Sequence, residues 1–226
     1  EKPSVGNSIA SVIGANESKD GYRQGNGYIV SWCVGHLVGL KNANEYREEW
    51  KQWNYESLPL IPDTFEHKVL EGTIKQYKVV KNLMLNDEIT EVICATDAGR
   101  EGELIFRRVY YKCGCKKPIK RLWISSMEES AIKDGFAHLR DGAEFDNMFQ
   151  AAHCRAMADW LVGINSTRLY TVLYRAKPTL SVGRVQSATL AMIVEREDKI
   201  KNFIKEKYYK AHIISGGINA STERID

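Results

Sequence analysis

The sequence predicts an α/β fold: a doubly wound, mostly parallel sheet, followed by an α-helical segment and the start of a β-rich part. Three observations carry that expectation. Short apolar or β-branched runs alternate with stretches of helical period as far as about residue 143. From Phe145 the apolar residues recur only at three- and four-residue steps. Near the carboxyl end, residues 208–215 return to strand character and meet a Gly216-Gly217 turn signal.

Taken in order, the chain opens on Glu1-Lys2-Pro3-Ser4-Val5-Gly6, a turn leading into a helical pattern through Ile9 and Ile13. An α/β domain sets a strand before such a turn, so a preceding strand is expected to be cut away and the chain to be part of something longer. Residues 28–34 are strand-like and run into Gly35-His36-Leu37, and residues 41–63, polar and aromatic with two prolines, read as a long excursion. Residues 73–84 have a helical face in Tyr77, Val80 and Met84. Val92-Ile93-Cys94-Ala95 reads as a strand and Leu104 to Tyr110 as a helix. Leu122-Trp123-Ile124 is a further strand, and Ser126-Met127-Glu128-Glu129 has the form of a capping box before a helix with Ala131, Ile132 and Phe136 inward.

Phe145, Phe149, Ala152, Ala156, Trp160 and Ile164 form one long apolar stripe, with Arg155 and Asp159 a turn apart on its flank. After the basic break Arg175-Ala176-Lys177-Pro178, a second helix is expected from near Ser181 to Phe203, with Leu190, Ile193 and Ile200 as core contacts. Its start, Ser181-Val182-Gly183-Arg184-Val185-Gln186-Ser187, combines helix-end N–H groups, a glycine and an arginine. That chemistry suits a phosphate, and a capped helix with an exposed arginine fits it too.

Composition narrows the classes. With 43% hydrophobic residues the chain can bury a core, and no run has the apolar length of a membrane span. Five scattered cysteines suit a reducing cytosol better than a disulfide scaffold. Cys113-Gly114-Cys115 lacks the second ligand pair of a zinc site. Residues 1–150 carry 20 Lys and Arg against 22 Asp and Glu, whereas residues 151–226 carry 12 against 7. An acidic first part beside a basic second part suits a metal site next to a polyanion surface.

The acids concentrate in Asp97-Ala98-Gly99-Arg100-Glu101-Gly102-Glu103, between the strand and its helix. Ligands in α/β sheets gather at the carboxyl ends of strands, and clustered hard oxygens suit Mg²⁺. Carboxylates also favour the positive end of a helix dipole. Alone, the segment fits both a metal site and a solvated helix start.

Four blocks in order resemble the amino-terminal part of a type IA DNA topoisomerase, nearest the bacterial topoisomerase III branch. They are Glu1-Lys2-Pro3-Ser4, the acidic block, Arg155 with Asp159-Trp160-Leu161-Val162-Gly163-Ile164-Asn165, and Leu180-Ser181-Val182-Gly183-Arg184-Val185-Gln186-Ser187. Gly35-His36-Leu37 is a weaker fifth. The acidic block alone also fits primases and nucleases of the same Toprim fold, and a single-stranded DNA-binding module without enzymatic activity is the remaining alternative. The Gly-Arg-Val-Gln block is much more specific to the topoisomerases.

The resemblance implies a Toprim domain over residues 1–143, the first part of a helical DNA-binding domain over 144–205, and the beginning of a strand-gate arch over 206–226. It implies that Glu1, Asp97 and Glu101, with Glu103 as a further candidate, surround Mg²⁺, and that Glu1 and Lys2 serve catalysis. Lys2 would supply positive charge to the phosphoryl-transfer transition state. Arg155, Arg168, Arg184, Gln186 and Ser187 are the implied DNA contacts, on single-stranded DNA, in a cytoplasmic, nucleoid-associated enzyme with further domains after Asp226. Two departures stand out. The family's middle acid is replaced by Gly99, and no tyrosine here lies in the family's nucleophile motif, Tyr170 and Tyr174 being better suited to stacking.

Overall fold

The computed structural model describes residues 2–223 and residue 225; Glu1 lies outside the described residues. The chain separates into two compact units, Glu1–Val182 and Gly183–Asp226. The division expected at 143/144 therefore falls inside the first unit.

The first unit begins with α1 (Pro3–Ile13), which takes Pro3 in its first turn, where a missing N–H costs nothing. A three-stranded antiparallel meander follows, β1 (Glu17–Lys19), β2 (Tyr22–Gly25) and β3 (Tyr28–Ser31), the last shorter than the strand expected over 28–34. β4 (Val38–Leu40) pairs antiparallel with β5 (His67–Val69). Between them the 41–63 excursion carries two short 3₁₀ turns, Ala43–Glu45 and Glu48–Lys51. α2 (Ile74–Leu85) buries Tyr77, Val80 and Met84, the face that its period predicts. β6 (Val92–Cys94) leads into α3 (Arg100–Cys113).

β6 pairs parallel with β7 (Ile119–Arg121), which pairs antiparallel with β8 (Arg140–Asp141). The α/β class holds, and the described ladders are mixed, with β6–β7 the parallel pair among them. β7 lies before the Leu122-Trp123-Ile124 run expected as a strand, because the ladder uses the polar Lys120 and Arg121 while Leu122 turns into the core. The capping box expected at Ser126 is absent. α4 (Glu129–Ala137) starts two residues later than a Ser126 cap would place it, with Glu128 at its N-cap. Ser126 Oγ instead accepts the Glu128 N–H at 3.2 Å. Ile132 is fully buried and its neighbours Ala131 and Phe136 are half-buried.

α5 (Asp146–Leu173) is longer than its apolar stripe alone suggests and includes 165–168, expected to follow it. Phe149, Ala152 and Ala156 pack with Leu104 and so dock α5 on α3. The main core joins α2, α3 and β4 through Val80, Met84, Phe106, Val109 and Val38. Each fully buried side chain of this size contributes about 1.5–3 kcal/mol. The described residues contain no helix long and apolar enough to cross a membrane, and none of them forms a disulfide.

In the second unit α6 (Gln186–Lys201) precedes a hairpin of β9 (His212–Ser215) and β10 (Ile218–Ser221). Gly216 and Gly217 both take positive φ, +56° and +81°, as a tight two-residue hairpin turn demands. α6 starts at Gln186 rather than near Ser181, and Leu190, Ile193 and Ile200, expected as core contacts, are each more than half exposed. A stretch of this length has too little interior to bury a whole helix face.

Candidate functional site

The acidic loop is built by its backbone. β6 ends at Cys94, and Thr96 Oγ1 donates to the Gly102 carbonyl at 2.8 Å, tying the loop to the first turn of α3. Gly102 is required there, since a Cβ would stand 2.2 Å from the Asp97 carbonyl oxygen. Gly99, at the N-cap of α3, has φ 178°, an extended conformation open to any residue, and no atom within 4 Å of a Cβ. Its occurrence is not a matter of backbone shape.

Asp97 and Glu101 are both exposed beside the amino end of α3, where the helix dipole favours anions. The Asp97 carboxylate makes no hydrogen bond to a described residue, and Glu101 Oε1 sits 2.7 Å from His36 Nε2. The chain reaches that contact because Gly35 turns it with φ +84°, while Leu37 is fully buried beside it. The Gly-His-Leu run, a weak signal in sequence, thus brings an imidazole to the acidic loop from sixty-five residues away.

Glu103 does not share that position. It is 1% exposed, with Oε1 3.1 Å from Arg121 Nε and Oε2 3.4 Å from Arg107 Nε. Burial pushes its carboxyl up while Arg121 and Arg107 oppose the shift. It is a buried structural carboxylate rather than a cation ligand, which corrects its candidacy for the metal.

Arg121 is the residue that sequence reasoning missed. It is fully buried and directs Nη1 to the carbonyls of Cys94, Thr96 and Leu122 at 2.9, 2.7 and 2.8 Å. Its Nη2 donates to the Asp97 carbonyl at 2.6 Å. One guanidinium therefore clamps the end of β6 and the loop that presents Asp97. Nothing in the local sequence sets it apart from the other basic residues between Lys116 and Arg121.

The donor set can be tested against a divalent ion. Two exposed carboxylates, one without a partner and one held through a single oxygen, supply hard oxygens in the number Mg²⁺ usually takes from protein, the rest coming from water and phosphate. Among the described residues no three His, Cys, Asp or Glu side chains converge. Lys2 is exposed at the N-cap of α1, and α1 shares with β6 the cluster of Val5, Ile9, Ile93 and Ala95.

The proposed DNA contacts divide. Arg155 is half-exposed, 3.8 Å from Asp159. Arg168 is 4% exposed, donates to the Trp50 carbonyl at 2.6 Å and lies over the Trp53 ring at 5.1 Å. It holds the 41–63 excursion on α5 and is not open to a phosphate, which corrects that assignment. Within the second unit Arg184 and Gln186 are exposed, and Ser187 Oγ accepts the Gly183 N–H at 3.1 Å. Ser187 thus orders the helix start and spends its hydroxyl on that glycine. Tyr170 and Tyr174 stack on each other at 6.2 Å.

Comparison with known proteins adds the kinship. A Toprim domain model matches residues 1–127, and a DNA topoisomerase model matches residues 143–224. DNA topoisomerase 3 of Shouchella clausii is 47% identical over 209 residues, 92% of this chain and 28% of that protein. DNA topoisomerase 3 of Staphylococcus epidermidis is 45% identical over 224 residues, 99% of this chain and 31% of its own length. The solved structure of full-length topoisomerase I from Thermotoga maritima superposes with TM-score 0.61 at 26% identity, over 94% of this chain and 31% of that one. The chain thus spans about 30% of the length of these relatives.

Proposed function

The chain belongs to the Toprim-containing type IA DNA topoisomerases, and we propose that it supplies the metal-holding and strand-positioning part of an enzyme that cuts one DNA strand, passes another through and reseals it. The observation that carries this reading is the two exposed carboxylates at the strand end where α/β ligands gather, Asp97 on the backbone that Arg121 clamps and Glu101 held by His36. Asp97 and Glu101 would hold Mg²⁺, which supplies positive charge to a scissile phosphodiester, and Glu1, outside the described residues, is proposed as a further ligand. Lys2 would add a further charge to the same transition state.

His36 orients Glu101 through one of its oxygens. Arg155, Arg184 and Gln186 would take backbone phosphates of a single strand, where contacts set position without reading sequence. The attacking tyrosine would come from a part of the enzyme outside residues 1–226. The site of action would be the cytoplasm, on the nucleoid.

Calorimetric Mg²⁺ titration of the 226-residue chain tests the core of the proposal. Saturable binding that Asp97→Asn and Glu101→Gln each weaken is expected; an unchanged isotherm in both variants would remove the metal role.

A further inference from the structure

Four arginines are buried among the described residues, and three have clear partners. Arg107 reaches Glu103, Asp146 and the Gly142 carbonyl, Arg121 clamps the acidic loop, and Arg168 bonds Trp50. Arg108 differs. It is 8% exposed, and its Nε and Nη2 are buried with no hydrogen-bond partner. It lies on α3 seven residues from Glu101, two turns along the same side.

Two imidazoles face it. His67 on β5 and His153 on α5 have ring centroids 5.3 Å apart, and His153 stacks on Phe149 at 5.7 Å. His67 Nε2 and His153 Nδ1 are buried without partners as well. Lys112, one turn beyond Arg108, donates to the His67 carbonyl at 2.7 Å. Burial first, and then the Arg108 charge, lower both imidazoles, His67 to about 4. Both rings are therefore neutral at pH 7, and each can present an N–H at its unpartnered nitrogen.

The nearby guanidinium and ammonium repel a cation, so the two histidines do not form a metal site. Glu101 is the acid whose charge reaches Arg108, and no acid acts on either imidazole; what the two rings and the unpartnered Arg108 nitrogens lack is a hydrogen-bond acceptor with several oxygens. We propose that Arg108, His67 and His153 form an oxyanion site for a phosphate group in the seam of α3, α5 and β5. An arginine fork with two flanking N–H donors matches the tetrahedral oxygens of phosphate. The inference does not depend on the metal role of Asp97 and Glu101. The phosphate could be free or part of a nucleic-acid backbone, and the experiment separates these sources.

Imidazole ¹H–¹⁵N spectra of the 226-residue chain are recorded while inorganic phosphate is added at constant ionic strength with chloride, and separately with an eight-residue oligothymidylate. Saturable shifts of His67 and His153 are expected, with the exposed His138 as the unresponsive control. An anion within a few ångströms should raise the His67 pKa by about one to three pH units. Arg108, Lys112 and His153 are the charged or titratable groups that act on His67, so binding should tighten as pH falls from 7 toward 5. A response to both probes assigns a free phosphate site, and a response to the oligonucleotide alone assigns a backbone phosphodiester. No saturable shift with either probe overturns the proposal. Arg108→Gln should weaken the response about tenfold or more; full saturation in a folded R108Q chain would equally overturn it. Should that variant not fold, the wild-type titration still decides.

Discussion

At the scale of single residues, Gly99 and Arg121 decide how the acidic loop works. Gly99 lies between the two exposed acids Asp97 and Glu101, and its extended backbone and open surroundings admit a side chain without strain. Gly99→Asp should therefore tighten Mg²⁺ binding, by about tenfold if one more carboxylate faces the ion. In chelator the melt should stay within about 2 °C of the parent, because aspartate at the N-cap offsets repulsion from Asp97 and Glu101. Equal or weaker metal affinity by calorimetry would show that position 99 does not face the ion. Arg121→Met should cost about 3–5 kcal/mol in urea unfolding, since it strips a buried carboxylate of one partner and frees the loop carbonyls; a loss under about 1 kcal/mol would mean the clamp is dispensable. His67 sets a pH effect. Its ordinary pKa near 6.5 falls to about 4 in the folded chain, chiefly through burial and then Arg108. As pH falls through that window the unfolded chain takes up a proton that the folded one does not, so stability is full above 6.5 and is lost toward 4. His67→Gln should lose less stability than the parent between pH 7 and pH 4.5, measured by urea unfolding at both values; parallel losses would refute the assignment.

At the scale of elements, α5 does more than its apolar stripe announces. Asn165 Oδ1 accepts the Leu60 N–H at 2.6 Å, and Nδ2 donates to the Leu60 carbonyl at 3.0 Å, so the amide pairs with backbone as a strand would. Trp160 Nε1 donates to the Lys41 carbonyl, and Ala43, Trp50 and Leu60 pack with Trp160 and Ile164. The block from Asp159 to Asn165 thus seats the 41–63 excursion. Asn165→Ala should cost about 1–3 kcal/mol and open 41–63 to limited proteolysis; unaltered cleavage would place the restraint elsewhere. The faces of α2 and α5 were legible in sequence because periodic burial writes itself as a 3.6-residue pattern. The strand–loop–helix at Asp97 was legible because β-branched residues, acids and glycine follow each other there. β7 and Arg121 were not, since a buried arginine satisfied by carbonyls looks like a surface residue until its partners are known. Arg168 misled for the same reason: charge in a sequence does not reveal which way it faces. The start of α4 slipped because a serine with an acid three residues on is compatible with both a cap and a turn.

At the scale of the whole molecule, the two units differ in kind. The first has the large core and the acidic loop, while the second carries 8 Lys and Arg against 6 Asp and Glu in its 44 residues. A polyanion held by such a surface binds largely through released counterions, and each phosphate contact contributes to the salt dependence rather than to sequence preference. Arg184, exposed just before α6, is proposed as one such contact. Removing it should leave the fold intact, because its side chain is exposed and Ser187 already orders the helix start through Gly183. Arg184→Ala should then weaken binding to oligothymidylate and to mixed-sequence single strands by the same factor. The slope of log K against log salt should become shallower by about 0.7, the share of one phosphate on a single strand. Fluorescence anisotropy from 25 to 200 mM salt (roughly the range over which such slopes are resolved) measures both quantities at once. A slope that does not change, or a loss confined to one sequence, would mean that Arg184 does not meet the backbone and that the positive charge of this part acts elsewhere.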